Sequence, residues 1–208
     1  MADPAGAPGT SGTAEVVVAV GLVESPGFAG KWWFWLPWPL LVALDLWSKA
    51  VVFEEIRLEA IRLGREYVPE NHRPDINVFD GPLRFDLVSW GNKGTIWGLF
   101  QNGTIPLMVL RCVAVVGLFW FLRRTARTAA LQQFVLSLVL AGALGNLYDN
   151  FVRADRSVRD FLRFTGTWPW TWEFPAFNVA DSCITVGAIG LFLLLWWEDR
   201  TSKGDRVS

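Results

Sequence analysis

Apolar residues fall in four long blocks. Trp32 to Phe53 is nearly all apolar, broken by Asp45, Ser48 and Lys49. Thr104 to Leu122 carries a single charge, Arg111. Leu131 to Tyr148 and Val179 to Trp197 complete the set. Each approaches the roughly 20 residues with which a helix crosses a bilayer core. The remaining polar sequence is too short to cover four buried helices in water. The pattern predicts a mainly α, polytopic membrane protein with four transmembrane helices. Tryptophans cluster at block ends: Trp32, Trp33, Trp35 and Trp38; Trp120; Trp168, Trp170 and Trp172; Trp196 and Trp197. Indole rings favour the headgroup level, so these read as interfacial belts.

The segments between the blocks differ in character. Residues 1–31 form a tail whose first part is rich in Ala, Gly, Pro and Thr and is expected to be disordered. Val16 to Val23 is apolar but too short to span, and no basic region precedes it, so the first span, 32–53, reads as an uncleaved anchor. Residues 54–103 form a long polar connection. Glu54 to Glu66 reads as an amphipathic surface helix. After breaks at Pro69, Pro74, Gly81 and Pro82, Leu83 to Ser89 alternates as a strand does. A small β element is therefore expected between the first two transmembrane helices. The second span is 104–122, followed by a basic loop at 123–127 and a third span at 128–150. A loop at 151–177, the fourth span at 178–197 and a tail at 198–208 complete the chain. The Arg123 to Arg127 loop argues for the cytoplasmic side. The 151–177 loop also carries Arg153, Arg156, Arg159 and Arg163, partly offset by Asp155 and Asp160, so loop charge leaves orientation open.

The net charge of −1 implies no nucleic-acid partner. Cys112 and Cys183 lie in different apolar spans and fit packing roles, with no disulfide framework or zinc spacing. His72 sits in a polar, proline-rich loop, which gives little support to a His-activated nucleophile. A metal site would want His or thiolate clusters, and neither is present, so no metal is expected.

Polar residues inside the blocks carry the chemistry. Gly142, Gly145, Asn146 and Asp149 share the spacing of one helix face, as do Asn178, Asp181, Ser182 and Thr185. Asp45, Ser48 and Lys49 share a face of the first span. Ionisable groups are costly in lipid and mark functional interiors. Any one stripe alone is equally explained as interhelical hydrogen-bond glue. Three stripes together with Asp160 favour a site built on carboxylates. Two converging carboxylates hold one proton between them and can act as base and acid on a water molecule.

These motifs, in order, resemble those of signal peptidase II, the prolipoprotein signal peptidases. The resemblance rests on Asp45-x-x-Ser48-Lys49, Asn92-x-Gly94 followed by Gly98, Gly145-Asn146-Leu-Tyr-Asp149, Val158-Arg-Asp160-Phe161 and Phe177-Asn178-Val-Ala-Asp181-Ser182. It covers roughly Leu41 to Trp197. It implies an intramembrane aspartic endopeptidase with Asp160 and Asp181 as the catalytic dyad. Asp45, Lys49, Asn92, Gly94, Asn146, Asp149 and Asn178 would be supporting or substrate-binding residues. The implied substrates are diacylglyceryl-modified bacterial prolipoproteins, cut just before the lipid-modified cysteine, with no cofactor. The implied setting is the bacterial inner membrane, with both termini cytoplasmic, the β element outside and the site toward the outer leaflet. A monomer surrounded by membrane lipid is expected.

This sequence departs from the family pattern at one motif position. The family's usual Arg after the third-motif Asp is Asn150 here, and Arg153, one turn on, is the candidate substitute. Asp149 to Asp160 is slightly longer than usual, residues 54–80 are an elaboration, and Arg111 has no assigned role. Two alternatives stay open: a polar-lined bundle serving as a small transporter or assembly factor, and an inactive relative of the peptidase.

Overall fold

The computed structural model describes residues 27–67, 75–94 and 104–204. Its elements are α1 (Trp32–Trp35), α2 (Pro37–Arg62), β1 (Ile76–Phe79), β2 (Leu83–Asn92), α3 (Thr104–Arg124), α4 (Ala130–Val152), β3 (Val158–Gly166), β4 (Trp172–Phe177) and α5 (Val179–Gly204). Leu36 keeps helical dihedrals (φ −80°, ψ −44°) between the short turn α1 and α2, and Pro37, which lacks an N–H, suits the first turn of α2. Four helical stretches are long and apolar enough to cross a membrane: Trp32–Arg62, Thr104–Arg124, Ala130–Val152 and Val179–Trp197.

Helix α4 is the centre of the bundle and packs against α1, α2, α3 and α5. Its apolar window is 67% buried, against 11–17% for the others, whose outer faces present residues such as Leu40, Val113, Val116 and Phe192. A helix apolar on all sides and exposed on one is what lipid accommodates and water does not. Two glycines let α4 sit this close to its neighbours. A Cβ at Gly142 would collide with the Ala180 carbonyl of α5, and one at Gly145 would lie 2.5 Å from Asp45 Oδ2 of α2. Small residues at such seams bring helix backbones into direct contact.

The ends of α3 and α4 are tied off by polar groups. The ammonium of Lys31 donates to the carbonyls of Leu122 and Arg123, the second at 3.2 Å, which satisfies part of the last turn of α3. Arg124 stacks over Trp120 at 4.0 Å from the ring centre.

At the other end of the helices lies one antiparallel sheet in the order β1-β2-β3-β4. Phe79, Phe85, Phe164 and Phe177 line one face in sequence, with neighbouring ring centres 5.8, 4.7 and 6.1 Å apart. The buried residues of α2 run in one stripe: Asp45, Lys49, Phe53, Ile56 and Ala60. The stripe begins polar, against α4 and α5, and turns apolar where α2 meets β2 and β3.

Three expectations are corrected here. Glu54 to Arg62 is not a separate surface helix but the continuation of the first spanning helix, because Ile56 and Ala60 bury completely. The 151–177 segment is not simply a loop: it supplies β3 and β4, half of the sheet, so the β element draws on both polar connections. Asp160 is accordingly a strand residue, opposite Trp90. The expectations for residues 1–26, His72 and Gly98 lie outside the described residues.

Candidate active site

The Asn178-Val-Ala-Asp181 segment forms the N-terminus of α5 and caps itself. The Asn178 side-chain oxygen accepts the Asp181 N–H at 2.9 Å. The Asp181 carboxylate accepts the Asn178 N–H at 3.2 Å. This reciprocal pair is a capping box, which satisfies orphan donors of the first turn and fixes both side chains. A third orphan donor, the Ala180 N–H, is taken from another helix by Asp45 Oδ1 at 2.8 Å. Asp45 thus anchors α5 to α2 at the point where Gly145 lets the helices touch.

Behind this end of α5 lies a fully buried ionic cluster. Lys49 Nζ is 2.7 Å from Asp45, 3.2 Å from Asp149 and 3.1 Å from Asn146 Oδ1. Arg159 binds Asp149 twice through its guanidinium, at 2.7 and 3.0 Å, and once through its backbone N–H at 3.0 Å. An ion pair out of water persists when further hydrogen bonds support it; here Asn146 and Arg159 do so, while Asp45 Oδ2 is held by the Lys49 charge alone. Asn146 passes the network forward by donating to Asp181 at 2.8 Å.

Asp160 reaches the same place from the sheet. Strand pairing of β2 with β3 sets Asn92 opposite Val158, and the Asn92 amide donates to Asp160 at 2.9 Å. The Asn92 oxygen meanwhile accepts the Gly94 N–H at 2.9 Å and fixes the turn beyond β2. Asn178 donates to the other Asp160 oxygen at 2.7 Å. Its amide also reaches Asn146 Oδ1 at 3.2 Å and the Arg159 carbonyl at 3.1 Å. Asp160 is completely buried, while Asp181 is partly open. Burial, and then the neighbouring Asp181, hold the Asp160 carboxyl well above the usual carboxylate range; Asn92, Lys49 and Asn178 only partly offset this.

The structure therefore gathers Asp45, Lys49, Asn92, Asn146, Asp149, Asp160, Asn178 and Asp181 into one network, with Gly94 at its edge. A family model described as signal peptidase (SPase) II matches residues 38–197. The chain belongs to the signal peptidase II family. A lipoprotein signal peptidase from Anoxybacillus flavithermus is 33% identical over 165 residues, covering 79% of this chain and 86% of its own. One from Syntrophotalea carbinolica is 44% identical over 121 residues, covering 57% of this chain and 71% of its own. A solved bacterial membrane enzyme shares the fold at a TM-score of 0.58, with 24% identity over 79% of this chain and 87% of that one. Membership makes this chain a multi-pass membrane peptidase.

Within the signal peptidase II pattern, the departures take definite places. Arg153 does not replace the missing motif Arg at Asp149; it pairs with Asp155 at 3.1 Å and with Ser157 at 3.0 Å. The arginine at Asp149, joining Lys49 there, is Arg159, which no motif in the sequence marks although it adjoins Asp160. The slightly longer path from Asp149 to Asp160 is absorbed by a turn through Arg156, whose φ is 54°. Arg111, unassigned in the sequence, does not simply turn out to lipid: it donates to Asn150 Oδ1 at 2.5 Å. Neither arginine lies on a stripe that helical periodicity marks, since one is on a strand and the other is alone in an apolar helix.

Proposed function

We propose that this peptidase is an aspartic endopeptidase that removes signal peptides from diacylglyceryl-modified prolipoproteins, cutting just before the lipid-modified cysteine. The observation that carries the proposal is the joining of Asp160 and Asp181 through Asn178, whose amide binds one and whose backbone N–H binds the other. The two carboxyls share one proton, which rests on the buried Asp160. Asp181 takes a proton from water as the water oxygen bonds to the peptide carbonyl carbon. Asp160 then protonates the departing amide nitrogen as the C–N bond breaks. Proton transfer between the two restores the resting pair. No cofactor enters this scheme. A mostly apolar recess of about 310 Å³ between α3 and the end of α4, lined by Ile105, Met108, Val109, Cys112, Val113 and Phe151 with Arg156 at its polar edge, suits an acyl chain. The sheet end faces the outer leaflet of the inner membrane, which leaves the Arg123 to Arg127 loop in the cytoplasm. The protein works as a monomer among membrane lipids.

The test uses purified protein in detergent with a prolipoprotein precursor, with and without its diacylglyceryl group. Cleavage of the modified precursor alone, with mass spectrometry placing the new N-terminus at the lipidated cysteine, is the expected outcome. Equal cleavage of the unmodified precursor, or a different bond cut, would overturn the substrate assignment.

The elevated Asp160 sets the pH dependence. Its acid form persists above the ordinary carboxylate range, so kcat/KM is expected to hold past that range and fall only as pH rises through the raised value. A profile that falls already between about pH 4 and 5, where unperturbed carboxyls titrate, would contradict this assignment of the proton.

A further inference from the structure

Arg111 stands out because it is a cation in the middle of an otherwise apolar spanning helix. A charge in that position is expensive unless it serves a site or is fully compensated. Its side chain is half-buried and turned toward α4. Its partner there, Asn150, is 2% exposed and neutral. Asn150 is itself pinned, because its amide donates to the Arg156 carbonyl at 2.6 Å, which leaves its oxygen facing Arg111. Among the described residues, Arg111 makes a hydrogen bond with one group only, out of the five N–H donors a guanidinium carries. It is within electrostatic reach of Asp181, Asp160 and Asp149.

The charge of the site points the same way. Asp45, Asp149, Asp160 and Asp181 would bring four negative charges, reduced to three by the proton of the pair. Lys49 and Arg159 neutralise two of these. Arg111 is the cation that balances the third. The other strong donors are already engaged: Lys49 with two carboxylates and Asn146, Arg159 with Asp149, and Asn178 with three acceptors. The signal peptidase II position that usually bears Arg holds the Asn that seats Arg111.

We propose that Arg111 is the oxyanion-binding residue of the reaction: α3 delivers a guanidinium that Asn150 aims at the peptide carbonyl oxygen, in place of an Arg at position 150. This rests on the aspartic-protease reading above. As the carbonyl oxygen gains charge, a preorganised guanidinium stabilises it in a site poor in water.

The test compares Arg111→Gln, Arg111→Lys and the relocated pair Arg111→Leu/Asn150→Arg with wild type, on the lipid-modified precursor. Arg111→Gln is expected to lower kcat about 100-fold with little change in KM, as removal of one oxyanion donor does. Lys is expected to restore part of that loss, and the relocated pair to return to within about tenfold of wild type. The alkaline limb of kcat/KM for Arg111→Gln is expected to move to higher pH, since loss of a nearby cation favours protonated Asp160. A merely structural Arg111, being a cation within reach of Asp160, would move that limb too, so the fall in kcat at nearly unchanged KM is the readout that assigns the oxyanion role. Thermal unfolding in detergent identifies any variant that fails to fold, and the kcat-against-KM split of a folded Arg111→Gln then decides without the relocated pair. Wild type active with Arg111→Gln within about threefold of it would overturn this inference alone. An inactive wild type would overturn the proteolytic reading and this inference with it.

Discussion

Asp160→Asn and Asp181→Asn are each expected to lower cleavage of the lipid-modified precursor by about four orders of magnitude, with the double variant no worse than either. In the proposed mechanism the two carboxyls act as one unit, so losing one would remove the acid–base pair as completely as losing both. The replacements keep the shape of the site. Asn at 181 meets two donors, the Asn178 N–H and the Asn146 amide; its oxygen can keep the capping box, but its own amide then faces Asn146. Asn at 160 meets two donors, Asn92 and Asn178, and must present its own amide to one of them. A modest loss of thermal stability at both positions, with the same loss of activity, is the expected combination. The measurement is a single-turnover gel-shift assay beside an unfolding curve in detergent. Substantial cleavage by a well-folded Asp160→Asn would sink the aspartic mechanism. Inactive wild type would favour the inactive-relative alternative that the motif departure at Asn150 leaves open.

Lys49→Met should be the most damaging single change to the fold. Lys49 is fully buried between Asp45 and Asp149. Removing the ammonium leaves Asp45 without its ion partner and Asp149 dependent on Arg159. Breaking a buried pair in this one-sided way costs about 3–5 kcal/mol. For a chain of this size that corresponds to a drop of about 10 °C in unfolding temperature. Asp45→Asn should cost less, because its oxygen still accepts the Ala180 N–H and Lys49 still holds Asp149. If Lys49→Met unfolds within about 2 °C of wild type, the cluster contributes little to stability and serves placement alone.

The helices and most of the polar cluster were legible because each follows a period. Block lengths matched a bilayer, and the spacing of Gly142, Gly145, Asn146 and Asp149 placed them on one face, where both glycines now sit in van der Waals contact with neighbouring helices. The sheet was half legible. The alternation in Leu83 to Ser89 identified β2, but Val158 to Gly166 mixes charge with apolar residues on both faces and carries no such period. Its strand character comes from pairing with β2, seventy-odd residues earlier in the chain. The two arginines were hidden for a related reason. Arg159 and Arg111 act across the fold, on Asp149 and Asn150, and no local spacing links either to its partner. Arg153 lay at the right helical distance from Asp149 but beyond the end of α4, where the backbone is already extended and the side chain leaves the helix face.

Asp160 and Asp181 are held by parts of the molecule that form in different solvents. The capping box of α5 forms when its helix is inserted among its neighbours in lipid. The position of Asp160 depends on β3 pairing with β2 at the end of the bundle, in the polar region. During biosynthesis, a chain whose helices are inserted but whose strands are still unpaired holds one carboxylate without the other. Under the proposed mechanism such a chain would lack the acid–base pair, so proteolytic competence would depend on the sheet docking onto the bundle as well as on insertion of the helices.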